Sequence, residues 1–294
     1  MTGTLELINV NSSKNQASGI VIDVGTLSFQ MSDSFVEENA GQGLHIVNQV
    51  NSTININGTQ FIRNSNGEGV HLQALRYCQA LLAEVLSLGN SQNGALLARL
   101  SDTRLNVSSC KFDGNSETGV HVDYFLRGGL NLENVSTSNN NRYGYIFHFG
   151  DTSINIESSS SFGNGRDGFY VENQEGEVVL KDFAARANRR HGLQFLDKYS
   201  ARLRSVYLLN CNVSENSQYG VQFYLTYRFT EGTENYTIKV ANSTILNNRL
   251  GGCMLYPADC GWGGVRRQRR VQLLFTGNEV KRNKKKGLDI LGPE

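Results

Sequence analysis

Residues 115–122 of the 294-residue chain read Asn-Ser-Glu-Thr-Gly-Val-His-Val, and this stretch contains the pattern that decides the fold. Asn115 is followed four positions later by Gly119, and after the glycine two apolar residues flank a variable one. Alternation with period two indicates a short strand with one buried face. Because the pattern returns throughout the chain, the sequence predicts a repeated strand-and-turn unit rather than one globular core.

The repeated turn comprises eleven pairs of an asparagine with a glycine. They are Asn15 with Gly19, Asn39 with Gly43, Asn64 with Gly69, Asn90 with Gly94, Asn115 with Gly119, Asn140 with Gly144, Asn164 with Gly168, Asn188 with Gly192, Asn216 with Gly220, Asn248 with Gly252 and Asn283 with Gly287. Successive glycines lie 24 to 28 residues apart up to Gly220, and then 32 and 35 residues apart. Asparagine and glycine enter the left-handed backbone region more easily than other residues. We therefore assign these residues to the corners of a coiled chain.

Two further apolar rows complete each unit. An alternating pair such as Leu105/Val107 precedes the asparagine by about ten residues, and a third apolar position lies between them. The members of this third row are Phe35, Phe61, Phe112, Phe162, Phe183, Val213 and Ile245. The segment from Leu75 to Leu88 has helix-like apolar spacing, but the repeat passes through it undisturbed, so we assign it to strands. The sequence predicts an all-β, single-stranded parallel β-helix of about eleven coils of roughly 24 residues, with three sheets and a right-handed turn.

The motif Asn-x-x-x-Gly-Val/Ile/Leu, with an apolar residue three positions before the asparagine, resembles the repeat of the right-handed β-helix (pectin-lyase-like) superfamily. The resemblance extends from Leu5 to Leu291. It implies the fold but not one activity, since the superfamily contains lyases, hydrolases, epimerases, tail fibres and adhesion proteins. The irregular coils and numerous glycosylation motifs also resemble large animal cell-surface β-helix proteins of the bark beetle type.

Composition excludes several classes of protein. Charged residues make up 19% of the chain and the formal net charge is +1, which argues against a general nucleic-acid binder. No apolar run is long enough to span a membrane. The five cysteines lack metal-ligand spacing, and we expect no metal and no cofactor. Cys110 and Cys211 are expected to be buried thiols, whereas Cys253 and Cys260 either form a local bridge or remain free.

The repeat predicts one domain over residues 1–294, which we expect to be a fragment of a longer chain because neither end carries a capping element. Irregular insertions fall at about 224–236, where the pattern suggests a projecting hairpin, and at about 257–270. The second insertion contains four arginines, and lysines and arginines follow one coil later: Arg266, Arg267, Arg269, Arg270, Lys281, Arg282, Lys284, Lys285 and Lys286. These residues form either a basic patch for an anionic partner or an ordinary solvated surface, which is the favoured interpretation.

In the strand after each glycine, neighbouring coils place equivalent outward positions side by side. His121, Asp123, His148 and Glu172 fall on three consecutive coils, with rungs about 5 Å apart. Carboxylates with an adjacent histidine suit acid–base chemistry or metal binding. The alternative, which the sequence favours, is that polar residues simply occupy outward positions and that the protein has no catalytic site.

Eight Asn-x-Ser/Thr motifs indicate possible glycosylation, at Asn11, Asn51, Asn57, Asn106, Asn134, Asn212, Asn235 and Asn242. They favour an extracellular or cell-surface location. The sequence favours a non-enzymatic scaffold for adhesion or for protein or glycan recognition, without nucleic-acid binding or direct membrane insertion. A polysaccharide lyase, hydrolase or epimerase acting on an outer sheet face is the main alternative. A secreted microbial or viral fibre-like repeat protein is the third.

Overall fold

The structure is a computed structural model that describes residues 3–23, 25–197, 205–227, 236–259 and 271–291. These residues form thirty-one β-strands and contain no helix. Each coil passes along three faces, with one strand on each face except where β15 (Val120–Glu133) and β17 (Tyr145–Glu157) continue over two of them. Nothing in the described ranges includes a helix that could cross a membrane.

The first face consists of the strands that follow the repeated glycines: β3 (Ile20–Asp23), β6 (Leu44–Val47), β9 (Val70–Gln73), β12 (Ala95–Ser101), β15 (Val120–Glu133), β17 (Tyr145–Glu157), β19 (Phe169–Gln174), β22 (Leu193–Asp197), β25 (Tyr219–Tyr227), β28 (Gly251–Asp259) and β31 (Leu288–Ile290). The second face comprises β1 (Gly3–Ile8), β4 (Leu27–Ser32), β7 (Thr53–Asn57), β10 (Gln79–Ala83), β13 (Arg104–Ser108), the second halves of β15 and β17, β20 (Glu177–Lys181), β23 (Ser205–Leu209), β26 (Tyr236–Ala241) and β29 (Val271–Thr276). The third face comprises β2 (Asn11–Ser13), β5 (Phe35–Glu37), β8 (Gln60–Ile62), β11 (Leu86–Leu88), β14 (Lys111–Asp113), β16 (Ser136–Ser138), β18 (Ser160–Phe162), β21 (Ala184–Arg186), β24 (Asn212–Ser214), β27 (Thr244–Leu246) and β30 (Glu279–Lys281).

All strands pair in parallel with the equivalent strand of the next coil, as predicted. The third face is a separate sheet of eleven strands, whereas the first two faces join into one sheet of twenty strands. They join because β15 and β17 continue around the corner between these faces without a break. The expectation of three hydrogen-bonded sheets is therefore replaced by three faces in two sheets. The segment Leu75 to Leu88 contains β10 and β11, which confirms its assignment to strands.

The number of turns is slightly smaller than the eleven coils predicted. The third face has eleven strands, but the first and last pair on one side only. About nine turns remain, each with a neighbouring coil on both sides. The repeat counts turning points in the sequence and cannot distinguish an interior coil from a terminal one.

Inward side chains stack into apolar rows along the solenoid axis. Leu105 pairs with Leu130 and Val107 with Leu132, and all four are buried. On the third face the predicted inward row is wrong at two positions, since Phe35 is 47% exposed and Phe162 is 48% exposed. Their neighbours occupy the interior instead, and two of the interior positions carry serine: Val36, Phe61, Ser87, Phe112, Thr137, Ser161, Ala185, Val213 and Ile245.

Serine is tolerated in this interior row because its hydroxyl finds a backbone partner. Ser87 Oγ donates to the carbonyl oxygen of Gly94 at 2.8 Å, and Ser161 Oγ donates to that of Gly168 at 2.9 Å. A buried hydroxyl with a hydrogen bond avoids the desolvation cost of an unpaired one. The serine thereby satisfies a carbonyl group close to the corner of its own coil.

The eleven asparagines of the repeat form a hydrogen-bonded ladder along the axis. Each side-chain Nδ2 donates to the Oδ1 of the asparagine one coil further on, at 2.8–3.1 Å. The same Oδ1 accepts the backbone N–H of the preceding coil's asparagine, as for Asn115 and Asn140 at 3.0 Å. The ladder thus satisfies backbone groups that the bend removes from the sheet.

The repeated glycines do not supply the left-handed conformation that the sequence led us to expect of them. At these corners a residue with positive φ instead immediately precedes each asparagine, for example Arg63 at 50° and Gly114 at 63°. The expectation is therefore wrong for every glycine of the repeat, since none of them has a positive φ: Gly19, Gly43, Gly69, Gly94, Gly119, Gly144, Gly168, Gly192, Gly220, Gly252 and Gly287.

Close packing between coils is the reason for most of these glycines. A Cβ on Gly168 would lie 2.7 Å from both the Gly192 carbonyl oxygen and Asn188 Nδ2 on the next coil. A Cβ on Gly43 would lie 2.6 Å from the Gly69 carbonyl oxygen, and a Cβ on Gly144 would lie 2.5 Å from the Gly168 carbonyl oxygen. At these two positions the physical reason for the glycine is thus the absence of a side chain rather than a special turn geometry.

The last glycines of the repeat differ from the others. Gly220 and Gly252 lie inside β25 and β28, so their assignment to a turn is wrong. The strand ladder starts earlier there, because Tyr219 already pairs with Gly251. A Cβ on Gly287 would meet described atoms no closer than 3.5 Å, since no described coil follows it.

Several sequence predictions concern the irregular regions. Cys78, Cys110, Cys211 and Cys253 are buried free thiols, and Cys260 lies outside the described residues. Most of both insertions also lies there, together with Asn235 and the four arginines between 266 and 270. The strands that enter the insertions, β25 and β28, pair with each other in parallel over Tyr219 to Tyr227.

Candidate functional site

The outer surface of the first face brings together the four residues that the sequence singles out. Asp123 on β15 lies beside His148 on β17, and His148 lies beside Glu172 on β19. His121 lies two residues before Asp123 on the same face of its strand, because side chains alternate along a strand. We name these four residues the His–carboxylate cluster.

Contacts within the His–carboxylate cluster are close. The rings of His121 and His148 meet edge to face, with centroids 5.5 Å apart. His148 Nε2 lies 3.6 Å from Glu172 Oε2. The hydroxyl of Tyr170 donates to the same Glu172 oxygen at 2.7 Å, and the Tyr170 ring packs edge-on to His148 with centroids 5.8 Å apart. A tyrosine, a carboxylate and two histidines therefore form one connected group.

Two outward-facing residues beside this cluster, Ile146 and Tyr170, are shielded from solvent. They are only 5% and 6% exposed, and with Tyr143 they form a small apolar cluster on the outside of the sheet. Leu196 packs against its edge. The His–carboxylate cluster thus lies beside an apolar surface, where charged groups lose much of their hydration.

Burial changes the pKa values of the groups on this surface. Loss of solvation, together with the positive charges of His148 and Arg142, lowers the pKa of His121 to about 4. Loss of solvation raises the pKa of Asp123, against an opposing effect of His148. Burial also raises the pKa of Tyr170, so its hydroxyl remains a donor at neutral pH. His121 is therefore a neutral imidazole at pH 7.

Several buried polar atoms without a hydrogen-bond partner lie on this face or beside it. In the described part of the chain they include His121 Nε2, Asp167 Oδ2, Gln194 Oε1 and both ring nitrogens of His71. Such atoms are costly in a folded protein and commonly mark sites where a ligand completes the hydrogen bonding. Sequence reasoning did not identify Asp167 or Gln194.

A row of arginines borders the face on the side of the repeated turns. Arg142, Arg166 and Arg190 each stand two residues before a repeated glycine, on three consecutive coils, and we name them the arginine row. Arg166 Nη1 donates to the Tyr143 hydroxyl at 3.1 Å, and its guanidinium lies 5.5 Å from the Tyr143 ring centre. Comparison of the position two before each glycine would have found this row in the sequence.

Two exposed aromatic residues border the opposite side. Tyr124 follows Asp123 and Phe149 follows His148, and they are 49% and 40% exposed. Their rings stack with centroids 5.3 Å apart, and both residues have positive φ, at 54° and 48°. A bulky residue in this conformation is strained, and such strain is often found near functional sites.

A second histidine group lies further along the same face. The rings of His45 and His71 stack with centroids 4.6 Å apart, and His71 Nδ1 lies 3.7 Å from the buried carboxylate of Glu68. Burial lowers the pKa of His71 to about 4 and raises that of Glu68. Within the described ranges, no group of three or more potential ligands could hold a metal ion.

An acidic cleft of about 360 Å³ opens at the corner between the first and second faces. Its lining includes Asp151, Glu175 and Glu177, and Ser205 Oγ donates to Glu177 Oε2 at 3.0 Å. The cleft does not include any member of the His–carboxylate cluster. The two sites are therefore distinct.

The predicted glycosylation sites are accessible wherever the structure describes them. Asn11, Asn51, Asn57, Asn106, Asn134, Asn212 and Asn242 are all exposed. The lysines and arginine of the last coil, Lys281, Arg282, Lys284, Lys285 and Lys286, are exposed as well. Lys286 is partly neutralised by Asp289 at 2.8 Å, and Lys281 by Glu279.

Comparison with known proteins supports the fold. The family model described as a right-handed β-helix region matches residues 87–230. Among solved structures, pectate lyase Pel9A has a TM-score of 0.53 at 9% identity, over 86% of this chain and 68% of that one. The periplasmic alginate epimerase AlgG has a TM-score of 0.49 at 11% identity, over 86% of this chain and 70% of that one.

The catalytic unit of an α-1,3-glucanase from Streptomyces thermodiastaticus has a TM-score of 0.49 at 10% identity, over 96% of this chain and 64% of that one. No curated protein sequence matches the chain. At these identities the similarity concerns the fold alone. The chain therefore has a right-handed parallel β-helix fold.

Proposed function

We propose that the protein is a carbohydrate-active enzyme that binds a polysaccharide on the outer surface of the first face and modifies it by acid–base chemistry. The observation that carries the proposal is the His–carboxylate cluster itself. His148 lies on the coil between those of Asp123 and Glu172 and is in ring contact with His121, which retains a buried nitrogen without a hydrogen-bond partner. Titratable groups with perturbed pKa values in one cluster are typical of active sites.

The geometry suggests a separate role for each residue. Glu172, held by the Tyr170 hydroxyl, orients His148, which is the arrangement of a general base and its orienting carboxylate. Asp123 has a raised pKa and is suited to donate a proton as a general acid. Asp123 and His148 lie on adjacent coils, about 5 Å apart, so acid and base can reach neighbouring atoms of one sugar residue bound over the face.

Structures with this fold support the polysaccharide-acting alternative more than the non-enzymatic scaffold that the sequence favoured. Pel9A, with the same fold, is named a pectate lyase. The proposal therefore covers lyase, epimerase and hydrolase chemistry, with the polysaccharide as the partner. The proposal includes an extracellular or cell-surface location, because structural polysaccharides are found outside the cell. Seven exposed Asn-x-Ser/Thr sites are compatible with secretion.

The test is incubation of the purified chain with a panel of acidic and neutral polysaccharides. Unsaturated ends, reducing ends and inverted sugar centres are then measured by absorbance, colorimetry and NMR. We expect one of these products, reduced at least about a hundredfold by Asp123→Asn or His148→Gln, since general acid–base groups contribute about 10²–10⁴-fold.

The matched control is Glu133→Gln, which removes an exposed carboxylate from the second face of the same strand. It should retain full activity. The proposal is overturned if the folded wild-type chain yields no product from any polysaccharide. It is equally overturned if the cluster variants, folded to the same melting temperature, are as active as the wild type.

A further inference from the structure

Backbone hydrogen bonds between neighbouring coils join the three residues of the arginine row. Arg166 N donates to the Arg142 carbonyl oxygen at 2.7 Å, and Arg190 N donates to that of Arg166 at 3.1 Å. The three side chains therefore start from positions about one strand spacing apart, near 4.8 Å. Like charges at facing positions of neighbouring strands destabilise a sheet, so such a row carries a cost in folding stability.

The described acidic residues compensate this row only in part. Arg142 lies 3.9 Å from Glu117, and Arg190 lies 3.6 Å from the fully buried Asp167. Arg166 contacts the uncharged Tyr143 hydroxyl. These contacts use few of the five N–H donors of each guanidinium. The row therefore presents positive charge and hydrogen-bond donors along the edge of the His–carboxylate cluster.

We infer that the arginine row binds the acidic groups of a linear anionic polysaccharide that lies along the solenoid axis, with about one charged sugar per coil. The inference rests on the proposed function and narrows its substrate class. Guanidinium groups bind carboxylate and sulfate oxygens through paired hydrogen bonds. The coil spacing is close to the length of one pyranose residue, so a polymer with one acid per sugar matches the row in register.

The arginine row and the His–carboxylate cluster lie at neighbouring positions along the strands of the first face. The row stands two residues before the glycine, Tyr170 two residues after it, and Glu172 four residues after it. A polymer that lies along the axis over the apolar surface of Tyr143, Ile146 and Tyr170 therefore has the arginine row on one side and the His–carboxylate cluster on the other. A neutral polymer lacks the groups that the row binds, so the row acts as a specificity determinant.

The experiment measures binding of polygalacturonate, dextran sulfate, neutral dextran and single-stranded DNA to the full chain by affinity electrophoresis and calorimetry at several salt concentrations. We expect one of the two anionic polysaccharides to bind at least tenfold more tightly than dextran or DNA. The triple variant Arg142→Gln/Arg166→Gln/Arg190→Gln should lose at least tenfold in affinity and show a weaker salt dependence.

Two further variants keep the test decisive. The double variant Arg142→Gln/Arg166→Gln leaves the Arg190–Asp167 pair in place, in case the triple variant fails to fold. The matched control Arg63→Gln/Arg186→Gln removes two exposed arginines at the third face, which pair with Glu38 and Glu215, and it should bind as the wild type does. Preferred binding of DNA or dextran overturns the inference, as does binding that the row variants leave unchanged.

The outcomes separate this inference from the proposed function. Turnover of a neutral polysaccharide that the row variants leave unchanged overturns the inference alone. Row-dependent binding of an anionic polysaccharide without product overturns the proposed activity and supports the inference. The wild type and the Asp123→Asn variant are compared in the same binding assay, because loss of catalysis should leave affinity nearly unchanged.

Discussion

A methyl group on Gly168 would meet the backbone of the next coil, because the Gly192 carbonyl oxygen lies 2.7 Å from the position of its Cβ. The same relation holds from coil to coil, with the neighbouring glycine oxygen 2.8 Å from the Cβ position of Gly19, Gly69 and Gly119. The absence of a side chain is thus what allows the coils to stack at their normal spacing. Backbone atoms of a packed coil cannot move aside as the end of a flexible side chain can.

We predict that Gly168→Ala lowers the free energy of unfolding by about 1–3 kcal/mol, the usual cost of overpacking. Gly129→Ala is the matched control. A Cβ on Gly129, in the second half of β15, would contact nothing within 4 Å, so its effect should stay below about 0.5 kcal/mol. Denaturant unfolding of both variants measures the difference, and equal losses would contradict the assigned role of the repeated glycines.

At the scale of the element, the third face shows that the sequence of a three-residue strand does not decide which of its side chains point inward. A one-residue change of register turns every side chain to the other side of the sheet. In β18 the phenylalanine is outside and Ser161 is inside, because Ser161 pairs with the interior Ala185 and Phe162 with the exposed Arg186. Phe183, by contrast, is buried just before β21 and packs against Tyr145 and Phe169.

This register predicts opposite effects for two phenylalanines that the sequence placed in one row. Phe183→Ala should destabilise the chain by about 3–5 kcal/mol, as is usual for a buried phenylalanine. Phe162→Ala should change the stability by less than about 0.5 kcal/mol, since surface substitutions have small effects. Thermal and denaturant unfolding of the two variants provide the comparison. A large loss in Phe162→Ala would show that β18 has the other register.

The coil period, the corner asparagines and most interior rows could be predicted because each recurs many times along the chain. The third-face register could not, because a three-residue strand gives too little alternation and its interior accepts serine through a hydrogen bond to a glycine carbonyl. The His–carboxylate cluster followed from alignment of outward positions. The partial burial of Tyr170 and the contact of Arg166 with Tyr143 depend on neighbouring coils and were not predictable.

At the scale of the whole molecule, the first face concentrates buried titratable groups on one side of the rod. Burial lowers the pKa of His71 and His121 to about 4 and that of His191 to about 3. Burial of the Asp167 carboxylate has the opposite effect and raises its pKa to about 6. The change of stability on acidification therefore depends on the balance between three histidines that stay neutral and one carboxyl that takes up a proton at a higher pH than in the unfolded chain.

We predict that the melting temperature falls as the pH is lowered from 7 to 4.5. In the unfolded chain the histidines titrate near 6.5, so below this pH it binds protons that the folded chain does not, and folding loses stability. Asp167 acts in the other direction between about pH 4 and 6, but one carboxyl does not offset three histidines.

Melting curves across this pH range test the prediction. His191→Asn should reduce the slope of melting temperature against pH. A melting temperature that rises on acidification would contradict the balance described here.

Because every link of the asparagine ladder is the same, duplication or deletion of a whole coil can change the length of the rod. Every side-chain amide donates in the same direction along the axis, so each coil presents one identical acceptor to the coil before it and one identical donor to the coil after it. Removal of residues 91–115 would place Asn90 next to Asn140 and restore both partners. A whole-coil duplication would insert a further link without altering the others. Growth by whole coils therefore preserves the chemistry of the corner, while the outer face of each added coil is open to new side chains.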